Sequence, residues 1–309
     1  MSQQPRIDIL LATCNGEKYL ADQLDSLLKQ EYQNIRLIVR DDASQDQTPS
    51  ILKSYQTAYP EKITVHEGKE KLGVKGNFSK LMEFSAAPYV MFADQDDVWL
   101  PHKVKQTLNV MQQLERKYGE QPLLVHSDLV VVDENLRVLN RSFWKYAGIK
   151  PHAGTNLNRL LSQNVVTGCT VMVNRLLIEI AKPIPVEAFM HDWWIALTAA
   201  SFGQIGCINV PTLYYRQHSK NTLGAQKFGS WANLMHSAQK LMQRDVRKFQ
   251  QASTFFHRYF ELLDPDHRTL TKEFLKLQRE SWVRRRYLIC KHGFFKQGFL
   301  RNFAEFILG

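Results

Sequence analysis

The chain has 309 residues, of which 44% are hydrophobic, so it allows one large domain or two modest ones and is too apolar to be disordered. No apolar run approaches the roughly 18 residues of a membrane-spanning helix, and the polar start of the chain is not typical of a secretory signal. Four cysteines without paired spacing argue against a disulfide framework or a cysteine zinc site, and we expect a protein of the reducing cytoplasm.

The net charge of +10 comes almost entirely from the C-terminal part of the chain. Residues 225–309 hold 16 Lys and Arg against 7 Asp and Glu, whereas residues 1–224 hold 24 against 23. A basic tail needs an anionic partner or a solvated surface. Nucleic acid, an anionic membrane face and a phosphate-bearing substrate are the candidate partners.

Strand-like and helix-like patterns alternate in the N-terminal third of the chain. Apolar runs predict strands at residues 7–12, 35–39, 63–66 and 89–93. Helices are predicted over residues 19–28, from about residue 48, and over residues 77–85 after a loop at 73–76. Because parallel neighbouring strands need crossover connections, the alternation predicts a mostly parallel sheet.

The pattern changes further along the chain. Strands are predicted at residues 123–132, 164–173, 205–210 and 212–215, and a helix is predicted from Met190 to about Ala200. From Ser230 onward the segments are long, basic and compatible with helices. Charge and periodicity together therefore predict a boundary near residue 225.

The stretch Asp94-Gln95-Asp96-Asp97 directly follows the fourth predicted strand and is the strongest candidate site. Two carboxylates one residue apart at a strand end can point into one crevice, and open α/β sheets bind ligands at the carboxyl ends of their strands. Carboxylate oxygens suit Mg²⁺ or Mn²⁺, which usually bind together with substrate phosphates. A solvated acidic turn or a helix cap is the alternative, although apolar residues flank the carboxylates on both sides.

Two other acidic positions each allow a structural and a functional interpretation. Asp41 and Asp42 end the second predicted strand, where a carboxylate can accept the imide N–H of uracil or thymine, or cap the next helix. Asp192 starts a predicted helix, where it can cap the N-terminus or act as the general base that deprotonates an acceptor hydroxyl. Trp193 and Trp194 beside it can stack on a sugar or lie in the core.

Basic and polar residues near other strand ends are candidates for phosphate contact. Arg216 and His218 follow the last predicted strand and can neutralise a leaving diphosphate, and His218 can also complete a metal shell. Lys75 lies in the loop before the helix predicted at residues 77–85, and Asn77 is the first residue of that helix. The first strand is followed by neither G-x-G-x-x-G nor a Walker-type loop, so an ordinary dinucleotide or P-loop site is not supported.

The motifs at residues 9–16, 40–46 and 94–99, taken in this order, resemble the nucleotide-sugar half of family 2 glycosyltransferases. The later stretches 167–170, 191–194 and 215–218 resemble the branch that holds bacterial rhamnosyltransferases, which build O-antigen, capsule or rhamnose-rich wall polysaccharide. The resemblance covers roughly residues 6–224. Many family members have Glu-Asp where this chain has His191-Asp192, which leaves the role of His191 open.

The resemblance implies a GT-A fold, an α/β fold with a mostly parallel Rossmann-like sheet flanked by helices. It implies a catalytic domain over residues 1–224, with a nucleotide-sugar half to about residue 120 and an acceptor half from about 121. A helical basic C-terminal region, residues 225–309, follows. The implied reaction uses a nucleotide-diphospho-sugar donor and Mg²⁺ or Mn²⁺, and it inverts the anomeric carbon.

Together with the residue patterns, the resemblance implies a role for each candidate side chain. Asp192 is the catalytic base, and Asp94, Asp96 and His218 are the metal ligands. The nucleotide-sugar is expected to contact Thr13, Asn15, Glu17, Asp41, Asp42, Lys75, Asn77, Asp94, Gln95 and Arg216. The acceptor is expected to contact Gly168, His191, Trp193 and Trp194.

Large aromatic side chains and cations intermingle in the tail. The residues concerned are Trp282, Arg284, Arg285, Arg286, Tyr287, Lys291, Phe294, Phe295, Lys296, Phe299, Arg301, Phe303 and Phe306. This composition suits an interfacial helix on an anionic leaflet, or a helical cap whose aromatics pack on the catalytic domain. We expect a peripheral protein at the inner face of the plasma membrane, with a lipid-linked saccharide as its acceptor. A homodimer is a further possibility.

The predicted activity is transfer of L-rhamnose from dTDP-L-rhamnose to a hydroxyl of a lipid-linked saccharide in bacterial surface polysaccharide synthesis. Transfer of glucose, galactose or N-acetylglucosamine from UDP is the close alternative, because one or two pocket residues decide the donor. A nucleic-acid-binding protein would explain the basic tail but not the acidic strand ends, so no nucleic acid partner is expected. A sugar nucleotidyltransferase would have a Gly-rich basic loop where this chain has residues 13–17.

Overall fold

A computed structural model of the chain describes residues 4–218, 238–298 and 302. Within these ranges one sheet of nine strands has the order β3-β2-β1-β4-β8-β6-β9-β5, with β7 paired to β6. The strands are β1 (Ile7–Thr13), β2 (Ile35–Asp41), β3 (Ile63–Glu67), β4 (Tyr89–Asp94), β5 (Val98–Trp99), β6 (Leu123–Val132), β7 (Val138–Asn140), β8 (Met172–Asn174) and β9 (Gln204–Arg216). The helices are α1 (Leu20–Leu28), α2 (Thr48–Ala58), α3 (Gly73–Phe84), α4 (Lys103–Tyr118), α5 (Phe143–Ala147), α6 (Leu157–Ser162), α7 (Arg175–Ala181), α8 (His191–Phe202), α9 (Ala238–Tyr259), α10 (Pro265–Lys276) and α11 (Trp282–His292).

Strands β1 to β4 form the parallel half of the sheet. β1 pairs with β2 and β4, and β2 pairs with β3, all in parallel. The register places Thr13 opposite Asp41 and Ala12 opposite Asp94. The polar residues that end β1, β2 and β4 therefore meet at one edge of the sheet, as the sequence predicts.

The second half of the sheet is mixed. β8 lies antiparallel between β4 and β6, while β9 runs parallel to β6 and antiparallel to β5. The prediction of a mostly parallel sheet thus describes β1 to β4. The strand predicted at 164–173 is wrong for most of its length, because residues 168–170 form a 3-10 turn and β8 begins only at Met172.

The two strands predicted around Pro211 are one continuous strand, β9. Its pairing with β6 shifts register on both sides of Asp128, which is paired with Pro211. A bulge removes the need for the backbone N–H that proline lacks, so the strand continues through this position.

Helix α3 begins at Gly73, within the stretch that the sequence predicts to be a loop. The backbone N–H groups of Leu72 and Gly73 both donate to the Asp42 carboxylate at 2.8 Å. Asp42 therefore satisfies free donors at the start of this helix from 30 residues away along the chain. A signal supplied by a distant residue is not visible in the local sequence.

The C-terminal helices pack on the part of the chain that precedes them. Trp194 of α8 is fully buried, and its ring lies 5.5 Å from that of Phe255 and 5.8 Å from that of Tyr259, both in α9. The predicted helical character of the tail is confirmed for α9 to α11. The predicted boundary near residue 225 lies outside the described residues, as do Phe299, Arg301, Phe303 and Phe306. Among the helices of the described ranges, none is both long and apolar enough to cross a bilayer.

Candidate active site

A cleft of about 1080 Å³ opens at the edge where β1, β2 and β4 end. The segment at 164–168 and the start of α8 also line it. Most of the predicted site residues line it. They are Thr13, Asn15, Glu17, Asp42, Asn77, Asp94, Gln95, Asp96, Gly168, His191, Asp192 and His218.

The loop after β1, residues 14–17, has its backbone N–H groups fully engaged by side chains. Cys14 N–H donates to Gln95 Oε1 at 2.8 Å, and Gln95 Nε2 donates back to the Cys14 carbonyl at 3.0 Å. The next three N–H groups donate to Ser44, Thr48 and Asp46, respectively. The loop is thus held rigid before any ligand arrives, and its N–H groups do not form an anion-binding nest.

Asp41 and Asp42 have different environments, although both are buried. Asp41 accepts hydrogen bonds from the Thr13 hydroxyl at 2.9 Å and from the backbone and hydroxyl of Ser44. Asp42 pairs with Arg40 at 2.8 Å and lines the cleft. Asp41 and Asp42 are the two residues expected to contact the nucleotide base. Asp42 lines the cleft, whereas Asp41 links the end of β1 to the loop after β2 through its hydrogen bonds.

The carboxylates that follow β4 lie close together in poorly solvated surroundings. Asp96 Oδ2 lies 2.8 Å from His218 Nε2, and the His218 ring packs on Tyr19 with centroids 5.0 Å apart. Burial, with Asp96 and Asp192 nearby, raises the pKa of Asp94 to about 7. A group of this kind is ionised more readily when a cation lies beside it.

Asp97, the residue after Asp96, is fully buried. Its carboxylate, that of Asp94 and the Cys169 sulfur are all within 4.8 Å of one another, the tightest set of three potential metal ligands in the described part of the chain. The expected trio of Asp94, Asp96 and His218 is less compact. Burial and the two neighbouring carboxylates raise the pKa of Asp97 well above its ordinary value.

Asp192 lies in the first turn of α8 and lines the same cleft as the loop at 14–17. Its two oxygens accept the backbone N–H groups of Gly168 at 3.1 Å and Trp193 at 2.6 Å. Burial raises the pKa of Asp192 to about 6, although these hydrogen bonds act in the opposite direction. The group is therefore ionised at neutral pH, yet more basic than an ordinary aspartate.

Besides Asp41, four of the expected contact residues are not in the cleft wall. Lys75 lies in the first turn of α3, and its ammonium donates to the carbonyls of Val186 and Ala188 at 2.6 and 2.5 Å. Trp193 and Trp194 belong to the core, where their indole N–H groups donate to backbone carbonyls. Tryptophan on a largely buried helix gains more from core packing than from a solvated wall.

The fourth, Arg216, is buried and joins several segments beneath the cleft. Its guanidinium donates to the Asp96 carbonyl at 2.9 Å, to the Glu134 carbonyl at 2.7 Å and to the Asp22 carboxylate at 2.9 Å. It also lies over the Tyr19 ring. Arg216 holds the backbone that presents Asp96, and it is not among the residues that line the cleft.

Several cleft residues were not foreseen from the sequence. Tyr19 and Glu134 line the cleft, and the Glu134 carboxylate lies 2.8 Å from the Lys18 ammonium. Lys103, which was also not foreseen, does not line the cleft: it is fully buried and lies over the Trp99 ring, and burial lowers its pKa to about 8. These residues are far apart along the chain, and none of them belongs to a local motif.

Comparisons with known proteins agree with this geometry. The family model described as Glycosyl transferase family 2 matches residues 8–170, more than half of the chain. The dTDP-rhamnosyl transferase RfbG of Shigella flexneri is 28% identical over 227 residues, which cover 70% of this chain and 74% of RfbG. The putative glycosyltransferase EpsE of Bacillus subtilis is 27% identical over 134 residues, covering 43% of this chain and 46% of EpsE.

Solved structures show the same fold at low sequence identity. S. aureus TarS 1–349 aligns with a TM-score of 0.57 and 15% identity over 87% of this chain and 69% of that one. The mannosyltransferase PcManGT from Pyrobaculum calidifontis, solved with GDP-Man and Mn²⁺, aligns with a TM-score of 0.53 and 17% identity over 94% and 80%. The chain therefore belongs to glycosyl transferase family 2, has a GT-A-like fold and is a glycosyltransferase.

Proposed function

We propose that this enzyme transfers L-rhamnose from dTDP-L-rhamnose to a hydroxyl of a saccharide acceptor, with inversion at the anomeric carbon. The observation that supports this most directly is the single cleft that joins Asp42, the acidic strand end and Asp192. The nucleotide base lies against Asp42 and the loop at 14–17, the diphosphate lies at Asp94 and Asp96, and the sugar extends toward Asp192.

The donor set fits a divalent cation. Asp94 and Asp96 offer hard carboxylate oxygens, His218 offers an imidazole nitrogen, and crowding of the carboxylates favours a neutralising charge. Mn²⁺ in the structure of PcManGT supports the same expectation. When bound, Mg²⁺ or Mn²⁺ stabilises the negative charge that develops on the leaving diphosphate.

The transfer itself is a single displacement. Asp192 accepts the proton of the acceptor hydroxyl as that oxygen attacks the anomeric carbon and the bond from this carbon to the diphosphate oxygen breaks. The N–H groups of Gly168 and Trp193 hold the carboxylate in place, so little reorganisation is needed during the step.

An apolar stretch of the cleft wall favours a 6-deoxy sugar. Val74, Ile149, Val165, Val166 and Met190 line the same cleft as Asp192. The C6 methyl group of a 6-deoxy sugar can be buried against this surface at little cost in free energy. The hydroxyl of a hydroxymethyl group would need a hydrogen-bond partner there. Similarity to RfbG, a dTDP-rhamnosyl transferase, supports the same donor.

A donor screen tests this proposal. We expect metal-dependent release of nucleoside diphosphate from dTDP-L-rhamnose at least ~10-fold faster than from UDP-glucose, UDP-galactose or UDP-N-acetylglucosamine. A preference for any UDP-sugar would leave the reaction class intact and overturn the rhamnose assignment.

The acceptor is proposed to be lipid-linked, with the enzyme at an anionic membrane face. Trp282, Val283 and Tyr287 of α11 are 60%, 71% and 52% exposed, and Arg284 and Lys291 lie on the same helix, which has no acidic residue. Exposed aromatics beside cations match an anionic interface in both apolar surface and charge.

Vesicle sedimentation tests the membrane contact. Replacing Trp282 and Val283 by Ser should reduce co-sedimentation with anionic vesicles several-fold, because both apolar contacts are lost. Leu262→Ser, which changes an equally exposed residue between α9 and α10, is the matched control and should bind as wild type does. Unchanged binding by the double variant would contradict the proposal.

A further inference from the structure

The 3-10 turn at residues 168–170 lies beside both Asp192 and the carboxylates that follow β4. Gly168 N–H donates to Asp192 Oδ2 at 3.1 Å, and the next residue, Cys169, lies within 4.8 Å of the carboxylates of Asp94 and Asp97. One rigid turn therefore contacts both the proposed base and the acidic strand end.

Gly168 has no room for a side chain. A Cβ atom at this position would lie 2.6 Å from His191 Nε2 and 3.5 Å from the Asp192 Cβ. Real Cβ atoms do not approach other heavy atoms to 2.6 Å, so a substitution must displace either the turn or the imidazole.

The His191 imidazole is not free to yield. It is 3% exposed, and its ring packs against Phe78 and Phe92 with centroids 4.0 and 5.6 Å away. Neither ring nitrogen has a hydrogen-bond partner among the described residues, so the imidazole acts here as a packed aromatic surface. A side chain at position 168 is therefore expected to displace the turn, and with it the Gly168 N–H group.

We propose that Gly168 is a positioning residue, which directs the Asp192 carboxylate toward the acceptor hydroxyl because its missing side chain lets the turn lie against His191. The inference rests on the proposed role of Asp192 as the base. It assigns to Gly168 a function through Asp192, in place of the acceptor contact expected from the sequence. It also gives His191 a role, because the turn at residues 168–170 packs against its imidazole ring.

Gly168→Ala tests the proposal. We expect kcat for transfer to fall about 100-fold, the loss that a misplacement of about 1 Å can cause, while KM for the donor changes less than about twofold. Gly206→Ala is the matched control, because a Cβ there would lie 2.7 Å from the flexible end of Leu114, outside the cleft. The control should keep wild-type kcat.

A second variant separates positioning from general misfolding. In Gly168→Ala/His191→Ala the imidazole that the new methyl group meets is absent, so kcat should rise relative to Gly168→Ala, although a cavity is created beside Phe78. Near wild-type kcat for Gly168→Ala, or no recovery in the double variant, would overturn the inference. If Asp192→Asn instead retained transfer, the proposed base itself would be wrong, which is a distinguishable failure.

Discussion

The two ends of the cleft are built in opposite ways. At the end proposed to bind the nucleotide, side chains of Ser44, Asp46 and Thr48 satisfy the N–H groups of residues 15–17, and Asp41 and Asp42 each accept several hydrogen bonds. At the other end, Asp94, Asp97 and Asp192 all have raised pKa values, because burial opposes the ionisation of all three and neighbouring carboxylates add to this effect at Asp94 and Asp97. A rigid, satisfied surface suits recognition of a fixed base, whereas an under-compensated acidic surface suits a cation and proton transfer.

The largest expected effect comes from the acidic end. Asp94→Asn or Asp96→Asn should reduce transfer by roughly 10³-fold or more, because each removes an ionic ligand from the proposed cation site. Metal titration of activity is the measurement, with Asp266→Asn, an exposed acid in α10, as the control. Activity near wild type with unchanged metal dependence would place the cation elsewhere.

Asp192→Asn should lose transfer by about 10²- to 10⁴-fold, the range for a general base, while donor binding remains. Calorimetric titration with dTDP and Mn²⁺ measures the binding, and a transfer assay measures the loss. Equal losses of donor affinity and of transfer would show that the residue belongs to the donor site.

The pH dependence distinguishes this base from an ordinary aspartate. With a pKa of about 6, the Asp192 carboxyl becomes protonated as pH falls through 6, so transfer at saturating Mn²⁺ should drop about tenfold per pH unit below that value and level off above pH 7. An acidic limb centred near pH 4, the ordinary range of Asp, would contradict the buried environment.

Arg216 tests whether the acidic end depends on its supporting residues. Arg216→Ala leaves the Asp96 and Glu134 carbonyls and the Asp22 carboxylate without this donor, and we expect a loss of about 3 kcal/mol in the free energy of unfolding. Denaturant titration measures it. Arg137→Ala, an exposed arginine before β7, should lose less than about 0.5 kcal/mol. A loss of donor affinity without loss of stability would support direct contact with the diphosphate instead.

Lys75 should give the smallest effect. Because its ammonium donates to the carbonyls of Val186 and Ala188 rather than facing the cleft, Lys75→Ala should change KM for the donor less than about twofold. The lost hydrogen bonds should lower stability by about 1 kcal/mol. A tenfold rise in KM would show that the side chain reaches the diphosphate after all.

Local sequence determined the parallel half of the fold and the acidic strand ends. Apolar runs of the right length fixed β1 to β4, and because parallel strands share a direction, the polar residues after them had to meet at one edge. The motif order then assigned the family. Asp42, Asp94 and Asp96 consequently lie in one cleft, and Asp192 joins them there from the start of α8.

Only the tertiary structure decided what each side chain contacts. The direction of Lys75 depends on the loop before α8, the burial of Trp194 depends on α9, and the joining role of Arg216 depends on segments up to 194 residues away. Periodicity records which face of an element is apolar, but it does not record which distant element covers that face. Hence the sequence predicted a candidate site, while long-range packing decided which of its residues line the cleft and which lie behind it.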